Sequence, residues 1–389
     1  MTALALPSSR DEAWRWADLS GLPVLADQAP SGAGVELPAA LGDGPRLVFV
    51  DGKLDAARSK VGPLEIGPVN VRREHPLGRL ATGNGWVLRL GRDHSAAGLV
   101  EIVHVGTGGA NHLPGLIALA DDAQAAIVET FVGDGWANRL TSIRLGRSAR
   151  LMRAVRLAQA SGFQSLRDEA EIGTGASLVT TLLAEGGAGS RIDGHLRLTG
   201  EAAFAEMGGA LLTRGDQRHE AAVVLRHEAE GCMSRQTWRA VADDTAVASL
   251  AARVEVARAA QKTDAEQSLR GLLLKRAATV NLKPELEIFA DDVKCAHGAT
   301  VGELDARALF YLESRGVPPA EARALLTRAF VADALERIGV DAVREAFVAL
   351  ADQWLNRNPF ASSAVEKRGS ERVDTRFSTS LETNGGGNG

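Results

Sequence analysis

The sequence predicts a mainly β protein, a β-solenoid with a short irregular region ahead of it and a small helical domain behind. Three observations predict this. Between about residues 86 and 300, short alternating runs recur with small-residue turns between them and no long helical stripe; Ile102-Val103-His104-Val105, Ile127-Val128-Glu129, Ile143-Arg144-Leu145 and 252–256 (ARVEV) are examples. Glycine is abundant, at 42 of 389 residues, while aromatics are only 4%, which suits many turns around a core of small aliphatic side chains. A weak period aligns Ala123, Ala149, Ala176 and Ala202, at steps of 26, 27 and 26 residues, each opening an alternating run. Strands repeating every roughly 20–50 residues without helices point to stacked coils. A β-sandwich with evenly spaced hairpins is the rival, and the repetition favours the solenoid.

Residues 1–85 form the N-terminal region, with Pro7, Pro23, Pro30, Pro38 and Pro45 spaced through its first half. Inside it, residues 11–19 (DEAWRWADL) are a short helical candidate ended by Gly21, and Trp14 and Trp16 are expected to dock on the main body. Residues 46–53 (RLVFVDGK) read as a strand running into an Asp51-Gly52 hairpin turn. The solenoid core then spans 86–303. After Thr300 the period changes. Asp305 can cap a helix over 306–312, with Gly316 beyond its end. Pro318-Pro319 open a second helix with Ala322, Leu325, Leu326, Ala329 and Phe330 on one face, broken at Gly339. A third carries Val343, Phe347, Leu350 and Trp354 at spacings of four, three and four. This helical domain, 304–357, is too small to own a core, so its apolar stripe must pack on the β body or on a partner. Residues 358–389 are almost devoid of apolar side chains and end in 384–389 (NGGGNG), which predicts a disordered tail.

The bulk composition narrows the function. Apolar residues at 45%, charged residues at 24% and a net charge of −5 are ordinary for a globular chain, and give no electrostatic basis for binding nucleic acid or an anionic membrane. No apolar run reaches membrane-helix length, and the N-terminus lacks the charged segment and long apolar stretch of a signal peptide. Two cysteines make no disulfide framework. The expected location is the cytoplasm.

Most catalytic motifs are missing. There is no G-x-x-x-x-G-K-[ST] loop, so ATP is not expected on this chain, and no G-x-G-x-x-G follows a strand; Gly106-Thr107-Gly108-Gly109 reads as a turn. G-x-S-x-G, H-E-x-x-H and EF-hand patterns are also missing. His104 and His112, eight apart across the glycine stretch, read as solvated turn histidines. His219 and His227, among Glu220, Arg226 and Glu228, read as the outward face of strands, and 261–267 (QKTDAEQ) as a polar loop. No complete catalytic set emerges, and the chain reads as a non-catalytic scaffold subunit of something larger.

Chemistry concentrates in residues 291–300 (DDVKCAHGAT). Extended backbone alternates faces, so Cys295 and His297 would point the same way. A thiolate beside an imidazole is a soft donor pair suited to zinc, copper or iron in sulfide chemistry. Two donors do not close a site, because structural zinc takes four ligands and clusters usually several thiolates. Cys232 is 63 residues upstream, with no C-x-x-C spacing. Either the pair is structural, or another chain supplies the missing ligands.

The same stretch carries a family resemblance. Residues 284–302 (PELEIFADDVKCAHGATVG), continued by 308–317 (ALFYLESRGV) and 320–322 (AEA), closely resemble the SufB/SufD family of iron–sulfur cluster assembly scaffolds. Residues 12–16 (EAWRW), 46–52 (RLVFVDG), 261–265 (QKTDA) and 272–274 (LLL) look like the same family. The similarity is weak over about 10–350 and specific over about 254–335. The resemblance implies a right-handed parallel β-helix with a small N-terminal region and a C-terminal helical domain. It implies two partners: a SufB-like subunit at a β-helix end, and a SufC-like ATPase on the C-terminal helices that hydrolyses the ATP. Isolated, such a chain could pair with itself. Cys295 and His297 become candidate ligands for iron or a nascent iron–sulfur cluster held transiently at the shared interface, and flavin on the complex is left open. SufB-like chains carry Glu directly after the motif histidine and hold further cysteines; Gly298 at that position favours the SufD branch.

Three alternatives stand beside this reading. The chain could be a purely structural partner in which Cys295 and His297 only pack, or a SufB-like paralogue. More distantly, it could be a β-helix carbohydrate-active enzyme, which would want an export signal and aromatic or paired acidic sites along the solenoid.

Overall fold

The computed structural model describes residues 5–70 and 74–356. In order, the strands are β1 (Arg46–Val50), β2 (Lys53–Leu54), β3 (Leu64–Val69), β4 (Gly83–Leu90), β5 (Val100–Leu119), β6 (Gln124–Leu145), β7 (Arg150–Leu157), β8 (Phe163–Ile172), β9 (Ser177–Ala184), β10 (Gly189–Leu198), β11 (Phe204–Thr213), β12 (Arg218–His227), β13 (Met233–Ala242), β14 (Val247–Val256), β15 (Thr263–Leu273), β16 (Thr279–Ile288) and β17 (Val293–Gly302). A short helix α1 (Leu22–Asp27) precedes them, and α2 (Ala306–Ser314), α3 (Pro319–Leu335) and α4 (Asp341–Asn356) follow.

The strands wind as a parallel β-solenoid of about seven coils. Odd-numbered strands stack as one sheet, with β7 on β9, β9 on β11, β11 on β13, β13 on β15 and β15 on β17. Even-numbered strands β6, β8, β10, β12, β14 and β16 stack as the other. β5 and β6 are long enough to cross both sheets. Each bends where glycines let neighbouring coils touch: a Cβ on Gly133, at φ +89°, would lie 2.0 Å from the Gly106 carbonyl oxygen. Residues 106–109 are therefore a bend inside a continuous strand, with a register shift between Thr107 and Ala110, and not a separate turn.

The period has a physical origin. Asp122, Ser148, Gly175, Ala202, Gly231 and Lys262 all have positive φ and sit at the same turn of successive coils. Each donates its backbone N–H to the coil above, as in Asp122 to Arg147 O at 2.8 Å, Ser148 to Thr174 O at 2.8 Å and Ala202 to Glu230 O at 3.0 Å. The next residue turns inward into limited space, so it is small and buried: Ala123, Ala149, Ala176, Ala203, Cys232 and Thr263. The aligned Ala202 is thus the left-handed turn residue itself, and Ala203 is the buried member of the series. Cys232 owes its position to this packing, its Sγ lying 3.2 Å from Gly200 O.

Both outer faces are partly covered. On the even sheet, the N-terminal segment seats Trp14, Leu19 and Leu22 against Trp136 and Phe163. The expected helix over 11–19 shrinks to one 3₁₀ turn, Glu12–Trp14, followed by α1. Trp14 docks as expected, with the Arg191 guanidinium 4.3 Å from its ring, whereas Trp16 stays half-buried. The hairpin forms as read, β1 pairing antiparallel with β2 around Asp51 and Gly52, both at positive φ. β1 and β4 also join β5 in parallel, so the N-terminal stretch extends the solenoid sheets.

On the odd sheet, α3 and α4 lay Val331, Leu335, Val343, Phe347, Trp354 and Leu355 on outward-facing Val128, Ala154, Leu183, Leu212, Val241 and Leu272. Asp305 caps α2 by accepting from Arg307 N at 2.8 Å, and Gly316 at φ +88° ends it. The buried face of α3 matches the one read only in part: Ala322 is buried and Phe330 packs on the core, but Thr327, Val331, Ala334 and Leu335 also turn inward, while Leu325 and Ala329 are exposed. Among the described residues, no helix is long and apolar enough to cross a membrane. The segment expected to be a disordered tail lies outside the described residues.

Candidate functional site

The last coil ends the solenoid without a cap. β16 and β17 pair with β14 and β15 on one side, and no strand is registered on their other edge among the described residues. The two edges differ in chemistry. β16 carries Lys283, Pro284, Glu285 and Glu287, side chains that discourage further pairing. β17 carries one charge, Lys294, and glycines at 298 and 302 whose Cβ positions are open space. Its backbone groups form a free template.

Cys295 and His297 lie on this strand, in phase. Cys295 is opposite Ala265 and His297 opposite Gln267. Val293 and Cys295 pack on the interior core, so the odd-numbered residues of β17 face the solenoid axis, with His297 exposed at the open end. Burial pushes the Cys295 thiol above its ordinary pKa, with a smaller contribution from Asp264. The free thiol is therefore protonated at neutral pH, and binding a cation must release that proton. Among the described residues, no cluster of three or more His, Cys, Asp or Glu is arranged to hold a metal ion. The chain presents two soft donors and no closed site.

Directly beneath lies a feature that sequence reading missed. The inner column of the odd sheet runs Gln236, Gln267, His297 on successive coils. Gln267 is 1% exposed and Gln236 fully buried. Neither amide atom of Gln267 has a partner, and the Gln236 Oε1 has none either, while Gln236 Nε2 donates to Arg253 O at 3.1 Å. Each unpaired buried polar group costs about 1–3 kcal/mol. The stretch 261–267 is thus a turn followed by an inward strand, and not a bland loop. The available signal was the alternation Thr263, Ala265, Gln267, Leu269, which puts Gln267 in phase with apolar neighbours.

Four other histidines are buried or half-buried. His104 is buried on the inner face of β5 and His112 half-buried on its outer face, neither in a solvated turn: Arg139 Nε donates to His104 Nδ1 at 3.2 Å, and His104 Nε2 lies 3.2 Å from Glu129. His112 Nδ1 pairs with Asn138 at 2.9 Å. His219 and His227 face the interior of β12, against Ser190 and Ser234 at 2.8 Å each. Burial lowers all four to about 4, with Arg139 adding to the effect at His104 and His112. Arg153 crosses the interior to Glu129 at 2.7 Å and to Asp168. Burial alone would raise the Glu129 pKa, but Arg153 and His104 bring it down to about 2. A cavity of about 510 Å³ opens instead on the outer face of the even sheet, beneath Trp14 and Trp16. Arg191 pairs there with Asp193 at 2.7 Å and Lys283 with Glu12 at 2.6 Å.

A parallel β-solenoid with an open end, a soft-donor pair on its last strand and a helical domain on its flank defines a scaffold-type protein. Residues 104–330 match the family described as SUF system FeS cluster assembly, SufBD core domain, and the chain belongs to that family. It is similar to the iron–sulfur cluster assembly protein SufD of Escherichia coli, 28% identical over 382 residues that cover 90% of this chain and 89% of that one. An iron–sulfur cluster assembly SufBD family protein of Mycobacterium leprae is 26% identical over 376 residues, 93% of this chain and 94% of its own. A SufBD family protein of Synechocystis is 45% identical over 105 residues, 27% of this chain and 23% of its own. The resemblance read from residues 284–302 thus extends through the solenoid core of a SufBD-family chain of iron–sulfur cluster assembly.

Proposed function

We propose that this chain is the SufD-type subunit of a cluster assembly complex, in which a SufB-like subunit closes the open end of the solenoid and a SufC-like ATPase docks on the C-terminal helices. The observation that carries this is an incomplete donor pair on an unpaired strand edge. Cys295 and His297 lie on the inner face of the last strand, at the end that β17 leaves open, and a second chain adding a strand there would bring further ligands to them. Iron or a nascent cluster is then the cargo of the shared interface. The ATPase assignment draws on α2, which buries none of its residues and exposes Phe310 by 73% and Tyr311 by 57%. In this reading, ATP-driven closure of two SufC-like subunits pulls on the helical domains. Because α3 and α4 grip the odd sheet, the pull reaches the coils and opens the shared end.

The test is to co-express the chain with its SufB- and SufC-like partners and compare His297→Ala with the unmodified complex. The expected result is an intact ternary complex by native mass that has lost most of its cluster assembly. Full assembly by the His297→Ala complex would leave a purely structural subunit, with Cys295 serving the core it packs on. Failure of the ternary complex to form at all would sink the partner assignment.

A further inference from the structure

We propose that Gln267 is a positioning residue for His297: its amide carbonyl accepts the N–H of one imidazole nitrogen and leaves the lone pair of the other aimed out of the open end. The use of this contact rests on the ligand reading above; the strand register that would bring the two side chains together does not. His297 and Gln267 are directly opposite on adjacent strands, about 4.8 Å apart, and both side chains lie on the inner face. Gln267 is buried with both amide atoms unpartnered, and His297 is exposed at the open end.

The direction of the contact follows from the residue beneath. Gln236 spends its donor on the Arg253 carbonyl oxygen at 3.1 Å, which leaves Oε1 as its free group. The adjacent donor in the column is the Gln267 amide NH₂, one strand away. Stacked amides on successive strands bond in this way in glutamine ladders. A Gln267 NH₂ turned to the free Gln236 Oε1 would present its own Oε1 above, and an acceptor there selects the tautomer of His297 that carries its proton on the inward nitrogen. The Arg253 carbonyl thus sets the polarity of a three-step relay, Arg253 to Gln236 to Gln267, that ends on the ring. Imidazole ligands are ordinarily held by a hydrogen bond to the nitrogen away from the metal, which fixes ring orientation and tautomer.

Two readouts test this. In the first, the chain is labelled with ¹⁵N-histidine, and the ring signals of His297, assigned by their loss in His297→Ala, are recorded at pH 8. One tautomer is expected in the parent and a mixture in Gln267→Met, a straight-chain apolar replacement. Identical His297 signals in the two proteins would overturn the proposal. If Gln267→Met does not fold, Gln236→Met breaks the relay one step back and is read in the same way. In the second, Co(II) is titrated into the complex with the SufB-like subunit, followed by thiolate-to-cobalt absorption. Gln267→Met is expected to weaken binding about 10–100-fold, whereas Cys295→Ala removes the thiolate band. Unchanged titration by Gln267→Met where Cys295→Ala and His297→Ala lose binding overturns the positioning role alone. Unchanged titration by Cys295→Ala and His297→Ala overturns the ligand reading, and the tautomer result then decides the hydrogen bond by itself.

Discussion

Cys232 and Cys295 show how far apart two cysteines of one chain can stand. Cys232 fills the small inward position that Ala123, Ala149, Ala176 and Ala203 fill in other coils, so its thiol is a matter of volume. Cys232→Ala should cost no more than about 1 kcal/mol in urea unfolding and leave cluster assembly unchanged; a larger cost would mean the contact with Gly200 O does more than fill space. Arg153 is the opposite case. Inside the solenoid it balances Glu129 and Asp168, all three almost fully buried. Replacing it by Met leaves two carboxylates without their counter-charge, and about 3–5 kcal/mol should be lost. Urea midpoints that match the parent would show that water reaches this interior.

At the scale of elements, the two flanks do different work. α4 closes the odd sheet with Phe347 and Trp354, and the Arg214 guanidinium lies 3.8 Å from the Trp354 ring. Trp354→Ala should destabilise the protein by about 3–5 kcal/mol, read by denaturant unfolding, and raise amide exchange in α3 and α4 before the coils. α2 is built differently, with its aromatics outside. Phe310→Asp combined with Tyr311→Asp should leave the unfolding midpoint within about 0.5 kcal/mol of the parent while removing capture of the SufC-like subunit. Capture that survives both changes would move that interface elsewhere. β17 is the third such element, since its unpaired edge offers a row of backbone groups with which another strand can pair.

The whole molecule carries a pH dependence that no single residue displays. His104, His112, His219 and His227 are held near pKa 4 by burial, against about 6.5 in the unfolded chain. Below pH 6.5 the unfolded state takes up protons that the folded state refuses, so stability falls as pH drops towards 4. The loss is on the order of 1 kcal/mol per pH unit for each histidine. Below about 4.5 the Glu129 carboxylate, lowered to about 2, adds to the same trend. Unfolding midpoints at pH 7.5 and pH 5 should differ clearly, the acid value being lower. Equal midpoints would mean that these histidines titrate as exposed ones do.

Much of this was legible along the chain. The recurring turn, the Asp51-Gly52 hairpin, the Asp305 cap and the Cys295-x-His297 spacing are local, because each depends on the backbone conformation of a few neighbouring residues. What the tertiary structure alone decided is which side of each strand is inside. Alternation says that two residues share a face, but it does not orient that face when both sides are buried. Outward Val128, Leu183 and Val241 are covered by helices, and so they are as apolar as the inward core. That ambiguity hid Gln267 in a polar loop, whereas His219 and His227 were read as outward because charged Glu220, Arg226 and Glu228 flank them along the chain. The open end was likewise beyond the sequence, since an edge is defined by the strand that fails to come next to it.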